Sequence, residues 1–134
     1  MSIRVVLDTN IFISGIFWEG NYCSQIIDAW RAGSITLISS LEMVQELVET
    51  LLDFRIAMPE EMIETWREMI LENAVLVVPT QKIEIVADPD DNKFFEAAVA
   101  GKAQYIVSQD KAVLKIGEYR QIKTITPTDF LKIL

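Results

Sequence analysis

The chain has 134 residues, and its 20 acidic side chains outnumber 12 basic ones, which gives a net charge of −8 at pH 7. It contains no histidine and one cysteine, Cys23. Catalysis by a Ser-His-Asp triad or a Cys-His pair is therefore excluded, and so are zinc sites built from histidines or several thiolates. The negative charge also counts against binding of nucleic acid, unless divalent cations are held among the acids.

A hydrophobic fraction of 51% and a mean hydropathy of +0.26 predict a folded chain, with one domain over residues 1–134. No apolar run has the length of a membrane span, and the first residues lack the pattern of a secretion signal. A single cysteine suits a reducing compartment, and we expect Cys23 to be buried. We therefore expect a cytoplasmic protein that has no membrane partner.

Apolar strands alternate with amphipathic segments along the chain. Strands are predicted over residues 3–7, 35–38, 75–78, 105–107 and 122–125, with a candidate edge strand over 83–86. After an apolar segment (11–17) and a polar turn (19–21), helices are predicted over 22–32, 41–54, 59–73, 91–100, 111–116 and 128–134. This alternation predicts an α/β fold with a largely parallel sheet and helices on both faces.

Two of these segments carry more detailed expectations. In the helix over residues 59–73, we expect the apolar side with Met62, Trp66, Met69 and Ile70 to face the core. The strand over 75–78, which ends at Pro79, is expected to be buried.

Four acidic residues are predicted to meet at one edge of the sheet. Asp8 and Asp110 each follow an apolar strand, Glu46 lies in the helix after the second strand, and Asp91 begins the helix before the fourth. Ligands of open α/β sheets bind beyond the carboxyl ends of the strands. Oxygen ligands suit Mg²⁺ or Mn²⁺, which can activate water and stabilise the leaving oxygen when a phosphodiester is hydrolysed.

Each acid also has a simpler interpretation. Asp8, Asp91 and Asp110 stand where helices begin and could act only as N-caps, and acids at positions 88 and 90 could replace Asp91. Glu46 could be an exposed charge, although it adjoins the apolar stripe of its helix. The repetition of acids at strand ends, in the right order, favours a shared site over four separate caps or surface charges.

The acids belong to motifs that recur in order along the chain. The motifs are Val5-Val6-Leu7-Asp8-Thr9-Asn10 followed by Ser14, Ser39 with Glu46-Leu47, Asp88-Pro89-Asp90-Asp91-Asn92 leading to Ala97-Ala98, and Tyr105-Ile106-Val107-Ser108-Gln109-Asp110. Over essentially its whole length, the sequence resembles the PIN-domain family, specifically the toxin-like PIN nucleases of bacterial toxin–antitoxin systems. The resemblance implies a three-layer α/β/α sandwich and a metal-dependent ribonuclease.

The resemblance also implies roles for individual residues. The implied catalytic and metal-binding acids are Asp8, Glu46, Asp91 and Asp110. Asn10 and Ser108 correspond to polar positions that support the site, and Thr9 lies in the same turn; capping by Thr9 or Asn10 would free Asp8 for a cation. The implied cofactor is Mg²⁺ or Mn²⁺, the substrate is RNA, and the expected partners are a second copy of the chain in a homodimer and an antitoxin protein.

Two other classes of protein share part of this pattern. A non-catalytic PIN-like module that binds RNA or a protein would also suit the acidic surface and the Met- and Trp-bearing helix over residues 59–73. A phosphoacceptor receiver domain has strand-end acids too, but it needs an acceptor Asp directly after a central strand. Neither Ser39-Ser40 nor Pro79 supplies such an Asp, so this class ranks low.

Overall fold

In the computed structural model, which describes residues 2–18, 20–53 and 55–134, six strands form one sheet. The strands are β1 (Ile3–Leu7), β2 (Ile35–Ser39), β3 (Val75–Leu76), β4 (Tyr105–Val107), β5 (Glu118–Tyr119) and β6 (Ile122–Ile125). Their order across the sheet is β3-β2-β1-β4-β6-β5, and every neighbouring pair is parallel except β5 with β6. The predicted α/β fold with a largely parallel sheet is confirmed.

The helices are α1 (Thr9–Phe17), α2 (Tyr22–Arg31), α3 (Leu41–Leu51), α4 (Glu60–Asn73), α5 (Asn92–Ala100), α6 (Lys111–Ile116) and α7 (Pro127–Leu131). A 3-10 turn, Pro89–Asp91, leads into α5. The predicted helix over residues 41–54 ends at Leu51, and its last position, Phe54, lies outside the described residues, as does Glu19 of the predicted polar turn. Among the described residues, no helix is both long and apolar enough to cross a membrane.

The helices cover both faces of the sheet because side chains alternate along each strand. On β1, Val5 and Leu7 pack with helices α1–α4 and α7, whereas Val6 packs on the opposite face with α5 and α6. The same alternation separates Leu37 from Ile38 on β2. The result is the three-layer α/β/α arrangement that the resemblance implied.

The orientation of α4 differs from the prediction. Ile63 and Ile70 are its buried residues, while Met62 is 49% exposed and Trp66 and Met69 are only partly buried. The placement of Met62 in the core was therefore wrong. Neighbouring helix positions are about 100° apart around the axis, so the stripe through Ile63 and Ile70 excludes Met62 when it faces the sheet.

The strand predicted over residues 75–78 is shorter and more exposed than expected. It spans Val75–Leu76 and lies at the edge of the sheet, where it pairs with β2 alone. Both residues are exposed, and so is Val78. The expectation of burial was wrong because an edge strand has a neighbour on one side only.

Residues 83–86 do not form the candidate edge strand. Ile83 and Val86 are buried, and side chains of α5 accept the hydrogen bonds of this segment. The backbone N–H of Ile83 donates to Glu96 at 3.0 Å, and the Oδ1 of Asn92 accepts from Ile85 and Val86 at 3.0 and 2.9 Å. The side-chain oxygens of Glu96 and Asn92 thus accept hydrogen bonds that the carbonyl groups of a neighbouring strand would otherwise accept.

The sequence analysis did not predict β5. It forms a hairpin with β6 across Arg120 and Gln121, whose φ angles of 49° and 68° are positive. Two-residue hairpin turns require such angles and usually employ Asn or Gly. Because Arg and Gln occupy the turn, the usual sequence signal is missing.

Candidate functional site

The site begins where β1 and β4 end. These strands are adjacent and parallel, with Leu7 aligned to Val107, so the residues that follow them lie side by side. The backbone N–H of Asp8 donates to the carbonyl of Val107 at 3.2 Å. This topology places the segments that carry Asp8 and Asp110 at the same edge of the sheet.

Asp8 is a buried carboxylate that caps α1. Its Oδ1 accepts the backbone N–H of Ile11 at 3.1 Å, and its Oδ2 accepts a hydrogen bond from the Ser108 hydroxyl. Burial raises the pKa of Asp8, while the hydrogen bonds from Ser108 and from the backbone of Ile11 and Asn10 act in the opposite direction. The expectation that Thr9 or Asn10 would cap the helix was wrong, because Asp8 has the extended backbone of an N-cap.

Ser108 connects the two strand ends. Its hydroxyl is fully buried, donates to Asp8 and accepts the backbone N–H of Asp110 at 3.0 Å. Asp110 itself is exposed and caps α6, with Oδ1 accepting from the backbone N–H groups of Ala112 and Val113 at 2.8 and 3.3 Å. Both acids are therefore oriented by fixed backbone donors.

Asp91 lies at the end of the 3-10 turn, directly before α5. Partial burial raises its pKa to about 6, and repulsion from Asp110, Asp88 and Asp8 adds to the rise. The positive charge of Lys93 opposes it. Since repulsion between charges falls with distance, this shift shows that three of the predicted acids, at 8, 91 and 110, share one electrostatic environment.

Glu46 has other partners. Its Oε1 lies 2.6 Å from the Nζ of Lys93, and its Oε2 accepts a hydrogen bond from the Thr9 hydroxyl. Thr9 therefore contacts Glu46 instead of Asp8. Asn10 has an exposed side chain, and its backbone N–H is the group that interacts with Asp8.

Sequence reasoning overlooked Lys93. This residue is in the first turn of α5 and is 8% exposed, beside the aromatic ring of Phe94. The available signal was a lysine two positions after Asp91, between the acidic motif and the apolar residues of a core-facing helix. A buried lysine requires a nearby negative charge, which Glu46 supplies.

The donor atoms of the site fit a hard divalent cation. Asp8, Asp91 and Asp110 present carboxylate oxygens, the ligands that Mg²⁺ and Mn²⁺ prefer, and a cation would relieve their mutual repulsion. Across residues 2–18, 20–53 and 55–134, no three acidic side chains are gathered closely enough to hold an ion. The structure thus places three predicted ligands where their charges affect one another, and it pairs Glu46 with Lys93.

Comparison with known proteins supports the order of motifs seen in the sequence. Residues 4–112 match the family model of the PIN domain, a stretch that includes every site residue from Asp8 to Asp110. The chain belongs to the PIN-domain family. This PIN domain is also 26% identical to the uncharacterized protein MJ1680 of Methanocaldococcus jannaschii, with 98% of this chain and 92% of that protein covered.

The fold of this PIN domain has a solved counterpart. It resembles a chain in the crystal structure of VapBC2 from Rickettsia felis bound to a DNA fragment from their promoter, with a TM-score of 0.62. The two chains are 14% identical, and the match covers 92% of this chain and 98% of the other. At this identity the likeness concerns the fold, and it confirms the PIN-like architecture.

Residues 113–134 lie beyond the family match. They include β6, which pairs with β4 in the same sheet as the site strands. This pairing agrees with the expectation of one domain over residues 1–134, which stays a prediction.

Proposed function

We propose that this PIN domain is a Mg²⁺- or Mn²⁺-dependent endoribonuclease that hydrolyses phosphodiester bonds of RNA. The observation that carries the proposal is the group of mutually repelling carboxylates, Asp8, Asp91 and Asp110, at the carboxyl edge of the sheet. Membership of the PIN-domain family supports nuclease activity, and the motif resemblance to toxin-like members supports RNA as the substrate.

The side chains of the site have distinct tasks in this proposal. The two hydrogen bonds to Asp8, from Ile11 and Ser108, hold its carboxylate in one orientation. Asp110 is held by the backbone of α6, so neither acid needs to be ordered when a ligand arrives. A divalent cation held by these acids, with Asp91 and Glu46, would supply an activated water and stabilise the leaving oxygen.

Asp91 has a raised proton affinity. With a pKa of about 6, it exchanges a proton near neutral pH. Protonation removes one of the negative charges that attract a cation. We therefore expect cation binding to weaken as the pH falls through about 6.

The proposal is tested by RNA cleavage in the presence of Mn²⁺. Asp8→Asn removes the charge but keeps an amide oxygen that can cap α1, since Asn is a favourable N-cap residue. We expect this variant to fold and to lose at least about 100-fold in cleavage rate. This loss exceeds what is usual when a residue that only supports a metal ligand is changed. The control is Asp28→Asn, an exposed acid on α2, which should retain the rate of the wild type. Cleavage at full rate by Asp8→Asn would contradict the proposal.

We also infer that the protein is a toxin component that acts in the cytoplasm, forms a homodimer and pairs with an antitoxin protein. Support comes from the resemblance to toxin-like PIN nucleases and from a structural relative that was crystallised as VapBC2 on promoter DNA. Induced expression in bacteria should arrest growth with the wild type and not with Asp8→Asn. Light scattering of the purified protein should give the mass of a dimer.

A second candidate function is a non-catalytic module that binds RNA or a protein. Two observations favour it: Glu46 is paired with Lys93, and the described residues contain no group of three acids close enough to hold an ion. Calorimetric titration with Mn²⁺ separates the two functions. A site that depends on Asp8 supports the nuclease, whereas a titration without binding supports the module.

A further inference from the structure

Lys93 is a cation built into the acidic site. Its side chain is 9% exposed, and its Nζ lies 2.6 Å from the Oε1 of Glu46. The pair joins α3 to α5, because Glu46 belongs to the first helix and Lys93 to the second. Such a buried lysine is tolerated only when a carboxylate neutralises it.

The charge of Lys93 reaches more than one acid. It stands two residues after Asp91, whose pKa is raised by partial burial and by neighbouring acids, and its positive charge opposes that rise. Glu46 is held from its other side by the hydroxyl of Thr9, so both of its oxygens are engaged. Lys93 is therefore the counter-ion of Glu46, and it stands close in sequence to a second of the four acids that were predicted to hold the metal.

A divalent cation and Lys93 compete for the same negative charge. A cation held with the help of Glu46 would share this carboxylate with the buried ammonium group, at a place where water screens charge poorly. Full use of Glu46 as a ligand requires that Glu46 exchange its contact with Lys93 for the cation. Both effects lower the affinity for the cation.

We propose that Lys93 takes the place of a cation beside Glu46 until a divalent ion binds, and that it thereby sets the affinity of the site for that ion. The inference rests on the proposed metal-dependent function. It makes Lys93 a positioning residue that acts through Glu46. The removal of its charge should strengthen cation binding, whereas a purely structural ion pair would change only the stability of the fold.

The test is calorimetric titration of Mn²⁺ into the purified full-length protein and its variants. Lys93→Met keeps a long unbranched side chain without charge and should bind Mn²⁺ about tenfold more tightly, as expected for the loss of one nearby positive charge. Lys93→Arg keeps the charge and should restore the weaker affinity of the wild type. The control is Lys111→Met, which removes an exposed charge next to Asp110 and should leave the affinity unchanged.

The outcomes separate this inference from the proposed function. An affinity in Lys93→Met that is equal to or weaker than that of the wild type would overturn the role of Lys93 and leave the nuclease proposal in place. A wild type that does not bind Mn²⁺ would overturn the nuclease proposal itself. Circular dichroism checks folding, and if Lys93→Met does not fold, Lys93→Gln replaces it, since its amide can still donate to Glu46 without a charge.

Discussion

Asp8 shows how one residue can serve the helix and the site together. Its Oδ1 accepts the N–H of Ile11 as a cap, and its Oδ2 is held by Ser108. Sequence reasoning treated the cap and the ligand as alternatives because each role was assigned to a whole side chain. A carboxylate has two oxygens, and at a strand end that begins a helix the same extended backbone serves both roles.

Other residues of the site were predictable to different degrees. Asp110 was found because an acid directly after a buried strand is a local pattern that the parallel topology brings to the sheet edge. The contact between Glu46 and Lys93 was not found, because it joins residues 47 positions apart on two helices. Its formation depends on how α3 and α5 dock, which no local pattern encodes.

The pKa of Asp91 leads to a prediction about stability. The value is about 6 in the folded protein, above the ordinary 3.8, so the folded state binds this proton more tightly than the unfolded chain does. The ionised carboxylate therefore destabilises the fold above pH 6, and stability is regained as the pH falls from about 6 toward 4. Asp91→Asn should raise the free energy of unfolding at about pH 7.5, by ~1 kcal/mol after allowance for solvent screening.

Urea denaturation with EDTA, at a series of pH values, measures this effect. The gain from Asp91→Asn should shrink toward zero near pH 4, where the wild-type carboxyl is protonated in the folded state and half-protonated in the unfolded chain. Asp28→Asn, an exposed acid, serves as the control and should show no such dependence. An equal stability of Asp91→Asn and wild type at neutral pH would show that burial and the neighbouring acids do not disfavour the ionised form of Asp91 in the folded protein.

Among the elements, α4 was predicted correctly in its extent and only in part in its orientation, since Ile70 is buried but Met62 is exposed. The helix was expected over residues 59–73 and is observed at Glu60–Asn73, since Pro59 at its start is a reliable local signal. The predicted core-facing side contained Ile70, which is buried, but also Met62, which is exposed, and the buried stripe runs through Ile63 and Ile70. Which stripe is buried depends on the surface that the helix covers, and that surface is formed by distant parts of the chain.

A pair of substitutions tests this orientation. Ile70 is 1% exposed and packs in the core, so Ile70→Ala should lower the free energy of unfolding by about 2–4 kcal/mol. Met62→Lys on the exposed side should change it by less than about 0.5 kcal/mol. Urea denaturation curves measure both. A large loss in Met62→Lys with a small loss in Ile70→Ala would mean that α4 faces the core with the side that carries Met62.

The end of α5 before Gly101 was predicted correctly, but the usual reason for glycine after a helix does not apply here. Glycine directly after a helix is a common stop signal, and α5 does end at Ala100, as predicted. The φ of −94° at Gly101 does not require glycine. A Cβ at this position would lie 2.4 Å from the Cγ2 of Ile38, so the close approach of α5 to the sheet is what excludes a side chain.

For the molecule as a whole, the parallel sheet determines where the acids lie. Every parallel strand delivers its carboxyl end to one edge, so short local motifs far apart in sequence meet there. That is why the fold class and the neighbourhood of Asp8, Asp91 and Asp110 could be inferred from the sequence. The contacts of the acidic side chains, such as that of Glu46 with Lys93, join residues that are distant in the sequence and could not be inferred from it.

The overall charge leads to the last prediction, which rests on the proposed action on RNA. A chain with 20 acids and 12 bases offers few lysines and arginines to RNA phosphates, and Lys93 is already paired with Glu46. If binding relies on divalent cations at the acids, few monovalent counterions are released when RNA binds. The logarithm of the RNA dissociation constant should then change by no more than about two for a tenfold change in KCl, the value for about three phosphate contacts on a single strand.

Fluorescence anisotropy with a labelled RNA measures this dependence, with Ca²⁺ held at constant concentration in place of Mn²⁺ to slow cleavage. Asp8→Asn should bind the same RNA more weakly, because it loses part of the cation site. A steep dependence on KCl together with unchanged binding by Asp8→Asn would place the RNA on a basic surface away from the acids. The shallow dependence follows from the charge of the whole chain, since an excess of 8 negative charges makes bound divalent cations the expected contact with a polyanion.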